Sequence, residues 1–138
     1  FNVPTDFIRP TYAGKYRMGD GKPDINDPKL GISYWKDARG SVSYPYQSHD
    51  LWFLTESVRW GFLPEGVLGE ADRIIKDVSG EKFWREAAQE LQKLGVVASA
   101  DIPTSTSRGV EKFFDGVEFD PSKPKAYLDN LKIKSLKA

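Results

Sequence analysis

Cysteine is absent from this chain of 138 residues. That removes disulfides, thiolate metal sites and a thiol nucleophile together. It leaves the compartment open. Histidine is scarce as well, with His49 the only one, so a nucleophilic hydrolase has few parts to draw on. No apolar run approaches the roughly 18 residues that a spanning helix needs. No signal peptide is visible. The chain opens on Phe1 rather than methionine, so a processed, truncated or cleaved start is expected, with room for a lost targeting segment. Charge of one sign is also missing. The 20 basic and 20 acidic residues cancel, and without a basic stripe nucleic acid is not an expected partner. Lys132, Lys134 and Lys137 alternate with Leu131, Ile133 and Leu136 and make no polybasic arm. There is no internal repeat, and strand signals are too few for a complete parallel sheet.

What the chain does have is aromatic weight. Hydrophobic residues make up 39% but aromatics 13%, so a core built on Phe, Tyr and Trp is expected. In a chain of this size such an excess also points to an interface. Residues 1–47 read as irregular. Pro4, Pro10, Pro23, Pro28 and Pro45 punctuate them together with five glycines, which excludes long helices. Short helices are predicted at Pro4–Arg9 and at Pro28–Asp37, where Leu30, Tyr34 and Trp35 share a face. An irregular lead of this length suggests a segment that wraps over something else.

The rest, 48–138, reads as helical. Ser48 is predicted as the N-cap of a first helix, with Asp50 in its first turn. Its stripe is Leu51, Leu54, Thr55, Val58 and Phe62, and Gly61 and Pro64 stop it. A second helix is predicted over Gly69–Val78. A third runs over Gly80–Leu94, capped by Ser79, with the stripe Phe83, Trp84, Ala87, Ala88, Leu91 and Leu94 and a left-handed stop at Gly95. Val96–Ala98 reads as a short strand and Arg108–Phe114 as a short helix. Asp115-Gly116 reads as a turn and Val117–Phe119 as an edge bridge. A last helix opens at Asp120-Pro121, with Ala126, Tyr127, Leu128 and Leu131 as its face. The fold class is therefore mostly α with little β, in one unit spanning 1–138.

Two polar clusters carry candidate chemistry. Gln47, Ser48 and His49 lie beside Asp50 at a predicted helix start, a polar cluster able to hold a metal or a small anion, and outward N–H groups there favour negative charge. The plainer reading is a capped helix whose polar side chains bond to backbone. Ser48, His49 and Asp50 are adjacent and point apart, so they form no nucleophile triad. Thr104-Ser105-Thr106-Ser107-Arg108-Gly109 offers hydroxyls and a guanidinium to an oxyanion, or simply a helix cap. It lacks the glycine spacing and lysine of a P-loop. Asp20, Asp24, Asn26 and Asp27 lack the spacing of a calcium loop and read as solvated turns. Trp35, Trp52, Trp60 and Trp84 read as core or as cover for a neighbouring surface. No pair of carboxylates is marked as acid and base, so no catalytic residue, cofactor or metal site is assigned.

Several ordered stretches resemble one family. They are Tyr44–Glu56 with Arg59–Pro64, Phe1–Pro4 with Gly19–Gly21, Phe83–Ala88, Pro103–Gly116, and the closing Phe119–Pro121, Lys125–Leu128 and Leu131–Lys134. Together they resemble the nitrate/bicarbonate solute-binding proteins of bacterial ABC importers, over nearly the whole chain. The resemblance is to the C-terminal third of much longer proteins. It implies the C-terminal segment of a two-lobed α/β periplasmic-binding-protein fold of type II that closes on an oxyanion, with most anion ligands upstream. The implied partners are a small inorganic anion, the membrane permease, the ATPase and the missing N-terminal part of the same protein. The implied setting is periplasmic, membrane-associated in the full-length protein. A similar domain fused to the importer ATPase implies an alternative, a cytoplasmic regulatory or protein-interaction module. Under the resemblance Gln47, Ser48, His49 and Arg108 stand as ligand contacts or lobe supports.

Overall fold

The computed structural model describes residues 2–132. Its contacts divide the chain into two compact units, with the boundary between Ser43 and Tyr44. The parts of the family resemblance carried by Phe1, Ile133 and Lys134 lie outside the described residues, as do Leu136 and Lys137.

In the first unit, helix α1 (Thr5–Tyr12) starts at Pro4 with Asp6 in its first turn and runs on through Pro10, past the predicted end at Arg9. Gly14, in the left-handed region at φ 74°, turns the chain into β1 (Lys15–Tyr16), which pairs antiparallel with β2 (Ile25–Asn26). A side chain at Gly14 would collide with the Asp27 carbonyl, 1.9 Å from where its Cβ would stand. The helix predicted over Pro28–Asp37 is reduced to one 3-10 turn, Pro28–Leu30. The Asp27 carboxylate accepts from Lys29 N at 2.9 Å and starts that turn. It stops at Gly31, whose backbone is extended and lies against Tyr12 O at a distance that leaves no space for a Cβ. Lys36–Asp37 (β3) instead pairs with Gly40–Ser41 (β4) as a hairpin. Among the described residues of this unit no hydrophobic side chain is buried, and Phe7 is 77% exposed.

The second unit is built on helix α2 (Gln47–Arg59). Gly61 takes φ 74°, Gly61 N bonds Val58 O, and Phe62 N bonds Ser57 O at 2.9 Å. That paired closure satisfies carbonyls the helix would otherwise leave open. A 3-10 stretch leads into α3 (Ala71–Val78), then α4 (Glu81–Lys93). Gly95 ends α4 in the same way, with Val96 N on Leu91 O at 2.9 Å. This explains why Val96–Ala98 is not a strand: the amides of Val96 and Val97 both turn back to Leu91 O.

Arg108–Phe114 is not a helix either. Glu111–Lys112 (β5) pairs with Glu118–Phe119 (β6) around the Asp115–Gly116 turn. The Asp115 carboxylate fixes that turn by accepting from Val117 N at 3.0 Å. Helix α5 (Pro124–Asn130) begins at Pro124 rather than at Pro121, because the Asp120 carboxylate first holds a turn through Ser122 N. Among the described residues the molecule thus has five α-helices and three two-stranded ladders, mostly α with little β as the sequence indicates.

The core of the second unit gathers Phe119, Tyr127 and Leu128 against Leu51, Trp52 and Val58 of α2. Phe119 and Tyr127 meet edge to face, their ring centres 5.2 Å apart. The Tyr127 hydroxyl donates to Glu56 Oε1 at 2.7 Å and accepts from Trp52 Nε1 at 3.3 Å. Glu56 also accepts from Trp60 Nε1 and Arg59 Nη1. On α4 the predicted stripe divides. Ala88 is buried and Trp84 half-buried, whereas Phe83 and Leu94 are 73% and 74% exposed.

Removing one hydroxyl tests this arrangement. Tyr127→Phe leaves Glu56 and Trp52 each short of a partner, so urea denaturation is expected to show a loss of about 1–2 kcal/mol with an unchanged slope. A variant as stable as the parent would show that these bonds carry no net stability.

Candidate functional site

The four candidate residues sit at the start of α2 and on the segment packed against it. Tyr46, not Ser48, is the residue at the cap position. Ser48 lies inside the first turn and is buried. Its hydroxyl accepts from Arg108 N at 3.1 Å, and its own amide donates to Thr106 O at 3.4 Å. A serine expected to close its own helix is thus used to fasten a strand of chain 60 residues away. His49 Nε2 stands 3.3 Å from Glu111 Oε1, with the histidine ring edge-on to Tyr46. Arg108 Nε is 3.8 Å from the same carboxylate oxygen. Ser48, His49 and Arg108 therefore converge, and Glu111 joins them.

Gln47 belongs to a second cluster. Its amide nitrogen donates to Glu81 Oε2 at 2.9 Å. The Tyr44 hydroxyl also donates to Glu81, and Arg85 Nε donates to Glu81 Oε1 at 2.9 Å. Arg85 reaches further, from Nη1 to Pro103 O at 2.7 Å, and its guanidinium lies over the Tyr44 ring. One carboxylate on α4 thereby ties down the approach to α2, and its arginine partner ties down the loop before Thr104. Burial works to raise the Glu81 pKa, but the bonds from Tyr44, Arg85 and Gln47 outweigh it and hold the carboxyl below its ordinary value. Burial, reinforced by the neighbouring Glu81 carboxylate, pushes the Tyr44 hydroxyl up to about 12. Sequence reasoning missed Glu81, Arg85 and Tyr44 as a group. The spacing of Glu81 and Arg85, one helical turn apart, was the visible signal.

Chemically this arrangement binds the protein to itself. In the 104–109 loop Ser105 Oγ donates to Ser107 O and accepts from Ser107 N, and Ser107 Oγ accepts from Gly109 N. At the start of α2 the amides of His49 and Asp50 turn to Tyr46 O. A hollow of about 160 Å³ beside Gln47, Ser48, Thr106 and Ser107 is also lined by Asp72 and by no cationic side chain. An anion placed there would face a carboxylate. Of the acidic loop residues in the first unit, Asp27 caps its turn and Asp24 accepts from Met18 N at 3.4 Å. Among the described residues no cluster of three or more His, Cys, Asp or Glu side chains is placed to hold a metal.

Comparison with known proteins supplies the context. No family model matches the chain. The nitrate/nitrite binding protein NrtA of Synechocystis is 48% identical over 138 residues, covering all of this chain and 29% of that protein. The crystal structure of periplasmic NrtA from the same organism superposes with a TM-score of 0.76 at 46% identity, covering 96% of this chain and 32% of that one. The bicarbonate-binding protein CmpA of Synechococcus elongatus is 47% identical over 97% of the chain and 29% of its own length. The bicarbonate transport ATP-binding protein CmpC of the same organism matches at 27% over 75% of the chain, 14% of that protein. The chain thus spans about 29% of the length of the binding proteins it matches, in their C-terminal part.

Glu81→Gln isolates the brace. Glutamine keeps one oxygen acceptor but removes the charge and the second acceptor oxygen, so the variant is expected to lose about 2 kcal/mol near neutral pH, the scale of one bond to a charged group. Because the folded pKa of Glu81 is depressed, its contribution is present above the ordinary carboxylate value and is lost as pH falls through the lower folded value. The parent's stability should therefore fall more steeply than the variant's on acidification. Parallel acid limbs in denaturant melts would remove Glu81 from this role.

Proposed function

The chain belongs with the nitrate/bicarbonate-type solute-binding proteins, as a counterpart of their C-terminal part, and on that footing we propose that it serves the substrate-binding component of an ABC importer for a small oxyanion such as nitrate, nitrite or bicarbonate. The observation that carries this reading is the near-equal identity to a nitrate/nitrite-binding and a bicarbonate-binding protein along almost the entire chain. A stretch that resembles both equally is a poor place for the residues that separate the two anions. We assign it a supporting role in which Ser48, His49 and Arg108 fasten the 106–111 segment to α2, and Gln47 fastens the start of α2 to α4. The bonds in which their side chains are engaged support bracing over anion contact. The importer's permease and ATPase are the proposed partners of the whole protein, and the periplasm is its proposed setting, as for the solved relative. Membrane association of the full-length protein is part of the same proposal. NrtA and CmpA are binding proteins by description, and this chain is assigned no catalytic role on that footing.

The match to CmpC favours a second reading, a module attached to the importer ATPase. The lower identity and shorter coverage rank it behind the first.

Exchanging parts decides the matter. A chimera in which this chain replaces the matching part of Synechocystis NrtA is expected to bind nitrate within about threefold of the parent, a difference under about 1 kcal/mol. The same chain placed in CmpA should leave bicarbonate binding intact. His49→Ala in either chimera should lower the melting temperature and leave anion affinity unchanged. Loss of anion binding in folded chimeras would overturn the assignment. A loss of about tenfold or more from His49→Ala alone would make it a ligand.

A further inference from the structure

A cavity of about 310 Å³ opens beside the His49–Glu111 contact. Trp52 and Phe53 of α2 and Phe113 and Phe119 of the β5–β6 hairpin make its walls. Phe119 is sealed into the core and Trp52 meets Phe113 at 5.4 Å between ring centres, so this floor is set by packing. Its rim is polar, with Glu111, Arg108 and Lys112 beside His49. Each charge at that rim already stands next to its opposite. Glu111 faces His49 and Arg108, and Lys112 Nζ is 3.7 Å from Glu118. A charged ligand would have to break such a pair, whereas an uncharged one would not. An inorganic oxyanion would also fill little of the space and would meet a lining with four aromatic side chains.

The chemistry of the rest of the unit indicates what fits. Three times it sets an aromatic O–H or N–H on a glutamate: Tyr44 on Glu81, Tyr127 on Glu56 and Trp60 on Glu56. The cavity offers aromatic walls and a glutamate at the mouth, and a carboxylate can accept several bonds at once. We propose that this cavity binds a small uncharged aromatic molecule carrying one hydrogen-bond donor, of the phenol or indole class. The walls take the ring, and Glu111 accepts the O–H or N–H. The site is separate from oxyanion binding and does not depend on that reading.

Calorimetric titration of the chain with p-cresol, indole, toluene, benzoate and nitrate tests the proposal, with amide chemical shifts locating any binding. p-Cresol and indole are expected to bind saturably, about tenfold tighter than toluene, and to shift the amides of α2 and of the β5–β6 hairpin. Phe53 is 63% exposed and can be truncated without opening the core. Phe53→Ala should weaken p-cresol binding about tenfold, while Phe114→Ala, fully exposed and away from the cavity lining, should change nothing. Circular dichroism checks that both variants fold. The proposal fails if p-cresol and indole do not bind at millimolar concentration, if toluene binds as tightly, if benzoate or nitrate binds there equally well, or if Phe53→Ala has no effect.

Discussion

Helix α2 is clamped at both ends by hydrogen bonds to residues far along the chain. At its start Ser48 accepts from Arg108 N and Gln47 donates to Glu81. Toward its end Glu56 accepts from the Tyr127 hydroxyl. Between these points Leu51, Trp52 and Val58 supply one wall of the hydrophobic core. Helices α3 and α5 pack on this frame. Without the clamps α5 and the 106–111 segment would rest on a modest apolar contact.

Polar fastening matters here because hydrophobic burial is limited. Among the described residues of the second unit the fully buried large side chains are Tyr44, Phe119 and Thr55. Meanwhile Phe62, Phe83 and Phe114, which line no part of the aromatic cavity, stay mostly exposed. In the first unit no described hydrophobic side chain is buried at all, and its shape comes from turns, caps and short ladders. A segment of so few residues without a core is hard to stabilise by burial. Both features accord with the proposed place of the chain within a longer binding protein.

Much of the second unit was legible in the sequence. Helices α2, α3 and α4 stand where the 3.6 period places them, and Gly61 and Gly95 close α2 and α4 through left-handed turns, although only Trp84 and Ala88 of the predicted α4 stripe turn inward. Three of the errors, at Ser48, at Arg108–Phe114 and at the start of α5, share a cause. Ser48, Ser107 and Asp120 look like helix caps, yet each spends its side chain on a distant amide or a local turn. A cap is a local signal, and whether its hydroxyl is called elsewhere depends on chain far away. For that reason Arg108–Phe114 became a loop and a strand, and α5 began late. Gly31 undid the Pro28–Asp37 helix because the end of α1 crowds it. Of the site, Gln47, Ser48, His49 and Arg108 stood out as polar residues at a helix start. Their partners Glu81 and Glu111 did not, since Glu81 lies 34 residues from Gln47 and Glu111 62 from His49.

Native-state hydrogen exchange along α2 tests this frame most directly. The amides in the middle of α2 should open only with global unfolding, while those of α1, in a unit without a buried core, should exchange orders of magnitude faster. Exchange through the middle of α2 as fast as through α1 would contradict the account.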